Sequence, residues 1–349
     1  MRAVRYTAYA EPPVVADVAD PACPPDGVVI RVGATGVCRS DWHAWLGHDP
    51  VPLPMVPGHE LAGVVELVGA EVTRWRAGDR VTVPFACGCG QCEECAQGNT
   101  NVCPQQTQPG FTGWGSFAEL VAIHAADTNV VALPDSLGFV AAASLGCRFA
   151  TAYRAVVPQG RVAAGEWLAV HGCGGVGLSA VMIGAALGAR VVAVDVSDPA
   201  LRAAREAGAE AVVQATGLEP AQVAAAVIEA TGDGAHVSID ALGSPAAMTA
   251  SVLSLRPRGR HVQVGLLLDH GGRAAVPMGR AIARELELLG VHGLPARDYP
   301  AMLRFIETAG VDLGRLVGRV IGLDEAPDAL MAMSAAPAFS GMTVVEPGR

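Results

Sequence analysis

The stretch LAVHGCGGVGLSA, residues 168–180, carries the clearest structural signature in the chain. An apolar run ends at His171, glycines follow at 172, 174 and 177 in a G-x-G-x-x-G pattern, and a helical, Ala-rich segment begins at once. In this strand, turn, helix context the spacing has a physical purpose. The glycines permit a tight turn and close approach to a pyrophosphate, and the helix N-terminus presents N–H donors to the phosphates. Gly172, Gly174, Gly175, Val176 and Gly177 are therefore candidate cofactor-binding residues. The next strand, RVVAVDV (190–196), carries Asp195 roughly 20 residues on, where a carboxylate accepts ribose hydroxyls and repels a 2′-phosphate. NAD is favoured over NADP.

Outward from this motif, DPALRAAREAG, EAVVQA, HVSIDAL, RHVQVGL and LELLGVHG continue the alternation of helix and strand. Six strands with intervening helices describe an α/β fold, a doubly wound parallel sheet, over 151–286. Upstream, GVVIRVGATG, LAGVVELVG, DRVTVPF and FAELVAI are short strand-like runs cut by Gly and Pro. They predict an antiparallel, loop-rich β domain over 1–150. Downstream, YPAMLRFIETAG and APDALMAMSAAP read as amphipathic helices and MTVVEP as a closing strand.

The 349 residues leave room for two domains, and a hydrophobic content of 51% can fill two cores. A net charge of −10 with scattered Lys and Arg argues against nucleic acid and for small-molecule chemistry. The N-terminus has no apolar signal region, so a reducing, cytoplasmic setting is expected. The longest apolar stretch, LSAVMIGAALGARVVAV, is Gly-rich and cut by Arg190, which suits a buried α/β core and not a membrane span.

Nine cysteines in such a chain call for metal before disulfides. In CGCGQCEECAQGNTNVC (87–103), Cys89, Cys92, Cys95 and Cys103 follow C-x2-C-x2-C-x7-C. Four thiolates on one short lobe, 87–104, match structural zinc, although an iron–sulfur cluster or a redox thiol set also uses such residues. Cys87 falls outside the equal spacing, and Cys23 and Cys173 read as small apolar side chains.

With GVCRSDWHAW (36–45), VPGHELAGVV (56–65), the four-Cys lobe, SLGCRFATAYRAV (144–156) and GCGGVG with Asp195, the chain resembles, over essentially its whole length, the zinc-dependent alcohol dehydrogenases of the medium-chain dehydrogenase/reductase family. The resemblance implies a GroES-like catalytic domain, completed by 287–349, beside a Rossmann domain. It implies two zinc ions per chain, NAD(H), and a homo-oligomer, dimer or tetramer. Cys38, His59 and Cys147 would hold a catalytic zinc, with Glu60 a near or alternate ligand and Asp41 orienting His59. Ser40 and His43 would carry the proton, by way of the nicotinamide ribose. Arg39 would pair with the cofactor pyrophosphate, and Trp45, Phe85 and Trp114 would line the substrate pocket. His48 receives no role. Cys147 stands where polyol dehydrogenases carry Glu, which favours the alcohol dehydrogenase branch.

The chemistry agrees with this reading. An alcohol must lose its O–H proton before or as hydride leaves carbon. Zinc lowers the pKa of bound water from about 16 to about 7, on the order of 12 kcal/mol, more than one positioned base supplies. A serine hydroxyl that donates and accepts, and an imidazole that titrates near neutrality, suit a relay. The expected substrate is a medium-sized apolar alcohol or its aldehyde or ketone. The alternatives are a related zinc dehydrogenase for a polyol, an aldehyde adduct or another carbonyl, and a non-catalytic NAD sensor or zinc-stabilised scaffold.

Overall fold

The computed structural model describes residues 1–268, 273–335 and 341–349, which form two compact units. One comprises Met1–Ala150, Gly293–Leu303 and Leu313–Arg349; the other comprises Thr151–His292 and Arg304–Asp312.

In the first unit β1 (Arg2–Arg5) and β2 (Val14–Asp17) form an antiparallel ribbon. The main sheet is built on β3 (Val28–Gly36), β4 (Glu60–Val68), β5 (Arg80–Thr82), β6 (Leu120–Ile123) and β7 (Val131–Ala132), all paired antiparallel. The β-branched residues of β3 and β4 face a core that includes Ile30, Leu61, Val65, Val81 and Ile123. A second core gathers Tyr6, Trp45, Met55, Phe117 and Leu330.

The second unit holds β8 (Trp167–His171), β9 (Arg190–Asp195), β10 (Ala211–Gln214), β11 (Ala235–Asp240), β12 (Leu255–Gln263) and β13 (Glu287–Gly290). They form a parallel sheet in the order β10-β9-β8-β11-β12-β13. The order reverses between β8 and β11, the switch point at which such sheets bind ligands beyond the strands' carboxyl ends. All five residues of β8 are buried, as a central parallel strand requires. The helices after β9 and β11 begin at serine caps, Ser197 and Ser244, whose hydroxyls accept from Ala200 N–H at 3.4 Å and Ala247 N–H at 3.1 Å.

The expected boundary at 286 cuts ahead of the sixth strand. Arg260 to Gln263 pair in register with Glu287 to Gly290, so the sheet extends beyond it. The chain then adds β14 (Val317–Gly322) and β15 (Met342–Glu346) to the first unit's sheet. β15 pairs antiparallel with the end of β3 at Thr35 and Gly36. The segment read as a helix over 326–337 is helical at Ala326–Met331, and its last two residues lie outside the described ones. No helix among the described residues is long and apolar enough to cross a membrane.

Candidate metal and cofactor sites

Cys38, His59 and Cys147 come from three distant segments and place their ligand atoms within 4.8 Å of one another. Cys38 caps the helix Arg39–Leu46, directly after β3. His59 precedes β4, and Cys147 precedes the helix Arg148–Arg154. One carboxylate braces two of them. Asp41, buried in the first turn of the helix, accepts from Cys38 N–H at 3.0 Å through Oδ2, and from Gly58 N–H at 3.1 Å and His59 Nδ1 at 2.8 Å through Oδ1. Gly58 is confined to this bend by its backbone (φ +104) and by Phe117, whose ring atom would lie 2.5 Å from any Cβ.

Because a carboxylate only accepts, the His59 proton sits on Nδ1 and the lone pair of Nε2 faces the sulfurs. That nitrogen is buried without a hydrogen-bond partner among the described residues. An orphaned imidazole nitrogen beside two thiols is a donor set that suits zinc, with one of four tetrahedral positions left over. The hydrogen bond with Cys147 holds the Cys38 thiol well below its ordinary range against the opposing effect of burial, and His59 adds to it.

Glu60 is fully buried, and its carboxylate meets the guanidinium of Arg148, a residue that sequence reasoning did not single out. The available signal was a lone cation in the apolar run SLGCRFATAY, which demands a buried partner. Ser40 lies 3.9 Å from the Cys38 sulfur. His43, three residues on and so on the same helix face, meets His48 with Nδ1 atoms 3.1 Å apart. The sequence assigns His48 no role. Gly47, left-handed at φ +78, turns the chain so that His48 N–H bonds back to His43 C=O at 2.9 Å.

Arg39 stacks on the Trp42 ring at 4.8 Å and donates to the Met333 carbonyl. Of the three aromatic residues expected along the substrate, Phe85 has its ring 6.1 Å from that of His59. Trp45 is packed in the core, with its indole N–H on the Glu11 carbonyl at 2.6 Å. Trp114 is exposed and donates to the Pro54 carbonyl at 3.0 Å. Phe111, edge-on to His59 at 5.2 Å, is an apolar neighbour missed from sequence.

The sulfurs of Cys89, Cys92, Cys95 and Cys103 also lie within 4.8 Å of one another. Cys103 accepts from Cys89 N–H at 3.4 Å and Gln105 N–H at 3.3 Å, as a thiolate in a metal site would. Asn129 pins the root of the lobe, exchanging bonds with Gly88 N–H (2.8 Å) and C=O (2.9 Å). Arg297 donates to the Gln97 carbonyl and to Asn99 Oδ1. Cys87 is not of this group: its thiol points at the Pro84 carbonyl, and burial pushes it up to about 12.

In the second unit the glycines divide their tasks as the motif requires. Gly172 turns the chain after β8 at φ +94, Gly174 faces open space, and a Cβ on Gly177 would lie 1.7 Å from the Gly172 carbonyl. The helix Gly175–Ala186 starts there, bringing Val176 into its first turn. Asp195, at the end of β9, accepts from Cys173 N–H at 2.7 Å and Ser197 N–H at 2.9 Å. The acid and the glycine loop thus meet.

Residues 24–135 match the model for the alcohol dehydrogenase GroES-like domain, and 175–308 that for the zinc-binding dehydrogenase. The chain is 38% identical over 308 residues to an alcohol dehydrogenase of Geobacillus stearothermophilus, covering 87% of this chain and 88% of that one. Its fold is similar to that of the alcohol dehydrogenase from Thermus sp. ATN1 (TM-score 0.89, 28% identity, 99% of each chain). It is also similar to that of an NAD-dependent alcohol dehydrogenase (TM-score 0.85, 29% identity, 99% of each chain). With the parallel sheet, the GroES-like unit and both cysteine groups in view, the chain belongs to the zinc-dependent alcohol dehydrogenases of the medium-chain dehydrogenase/reductase family.

Proposed function

We propose that this oxidoreductase transfers hydride between an alcohol and NAD(H), with catalytic zinc on Cys38, His59 and Cys147 and structural zinc on Cys89, Cys92, Cys95 and Cys103. The observation that carries the reading is the orphaned Nε2 of His59, aimed by Asp41 at two sulfurs in a three-ligand set. Bound there, zinc would supply the Lewis acidity that makes a substrate hydroxyl acidic, and NAD the ring that takes up hydride.

The chain's own residues do the rest. Asp41 fixes the tautomer of His59. Ser40 takes the hydroxyl proton and His43, on the same helix face, delivers it to water. Phe85 and Phe111 keep the His59 side apolar and dry, which favours an apolar alcohol over a polyol. The glycine loop with the first turn at Gly175, Val176 and Gly177 binds the pyrophosphate, and Asp195 receives the ribose.

We take the working form to be a homo-oligomer, on the ground that the edge strand β13 follows a helix with exposed Met278 and Ile282. Nine unpaired thiols suit a reducing cytoplasm.

The test is a series of alcohols of graded chain length and branching, with polyols alongside, assayed by NADH absorbance with NAD and NADP. Turnover of apolar alcohols with NAD preferred is expected. Asp195→Ala should lower that preference by about tenfold or more, the worth of a hydrogen bond to a charged group. No turnover of any simple alcohol or aldehyde by fully metallated protein would overturn the reading.

A further inference from the structure

The segments that carry Cys38, His59 and Cys147 are joined at one side chain. Arg148 follows Cys147. Its Nη2 donates to the carbonyl of Val37, the residue before Cys38, at 3.0 Å. Its Nε donates to both oxygens of Glu60, the residue after His59, at 3.0 and 2.9 Å, and Nη2 reaches Oε2 as well. The backbone N–H of Arg148 completes the set at Glu60 Oε1, 2.8 Å. Both charges are enclosed, Glu60 fully and Arg148 at 6% exposure.

A buried ion pair is a poor source of stability, because desolvating two charges offsets most of their attraction. What it supplies is placement. The guanidinium is a rigid fork whose donors reach two acceptors in fixed directions, which a lysine ammonium does not reproduce. The partners lie 88 and 111 residues away in sequence. Closing such loops costs chain entropy whether or not metal is present.

We infer that Arg148 is the positioning residue of the three-ligand centre, holding Cys38, His59 and Cys147 in a metal-ready arrangement through Val37 and Glu60. This rests on the metal centre proposed above. Asp41 ties the Cys38 and His59 segments, and Arg148 adds the third.

The full-length chain, loaded with cobalt(II), is mixed with a chromophoric chelator and metal release is followed. The phase lost in Cys147→Ala or Cys38→Ala identifies the three-ligand centre. Arg148→Lys keeps the charge without the fork. Arg148→Met/Glu60→Gln removes the pair together, so no stranded buried charge threatens the fold. Both variants should speed that phase by about 10- to 100-fold, the usual effect of removing a group that orients a metal ligand, while the lobe phase and its thiolate-to-cobalt absorption stay as they were. A three-ligand phase within twofold of the wild type in both variants would overturn the inference and leave the metal centre standing. A wild-type protein with no phase sensitive to Cys147→Ala would overturn both.

Discussion

The two cysteine groups solve one problem in opposite ways. In the lobe, Cys89 and Cys103 are separated by 14 positions in sequence, so four donors are close before the rest of the chain folds, and a four-thiolate set closes on its own. The other group draws Cys38, His59 and Cys147 from distant segments, and each donor leans on a neighbour: Asp41 behind Cys38 and His59, Arg148 and Glu60 behind Cys147. A zinc site that kept one position open for substrate could not use a fourth ligand to fix the other three. The surrounding hydrogen bonds take that part.

Paired variants separate the two centres. Cys147→Ala should abolish turnover by at least about a thousandfold, roughly 4 kcal/mol of transition-state stabilisation, and remove one metal of two without loosening the lobe. Cys103→Ala should remove the other metal and lower the unfolding midpoint by on the order of 10 °C, at about 2–4 °C per kcal/mol, with low-temperature turnover kept within a few fold. Thermal scans and metal analysis on both proteins decide whether catalysis and stability divide between the sites. Asp41→Asn should weaken metal at the three-ligand centre by about 10- to 100-fold in competition with a chelator, and leave the lobe alone. Arg297→Ala, at the exposed edge of the lobe, should cost about 1 kcal/mol or less and move the midpoint by a few degrees at most.

How much of this was legible follows the same division. The lobe is written in adjacent residues, so spacing alone named its four members and left Cys87 aside. The parallel sheet was legible for a similar reason: each strand, glycine turn and helix is a local pattern, down to Gly172 and Asp195. Nothing local connects Cys38 to Cys147, and only the family resemblance joined them. Arg148 escaped because a single arginine beside a cysteine shows no partner until β4 brings Glu60 beneath it. His48 escaped because one left-handed glycine reverses the chain. Trp45 shows the opposite failure. Its spacing in the motif was readable, but which helix face meets the core depends on Tyr6, Met55 and Leu330, all remote in sequence.

The pairing of β15 with the end of β3 also sets an order in time. Thr35 and Gly36 stand just before Cys38, and their partners, Val345 and Val344, are synthesised about 240 residues after Cys103. At 5–20 residues per second, roughly ten seconds to a minute separate synthesis of Cys103 from synthesis of β15. A nascent chain can therefore bring the four cysteines of its lobe together long before the strand beside Cys38 has its neighbour.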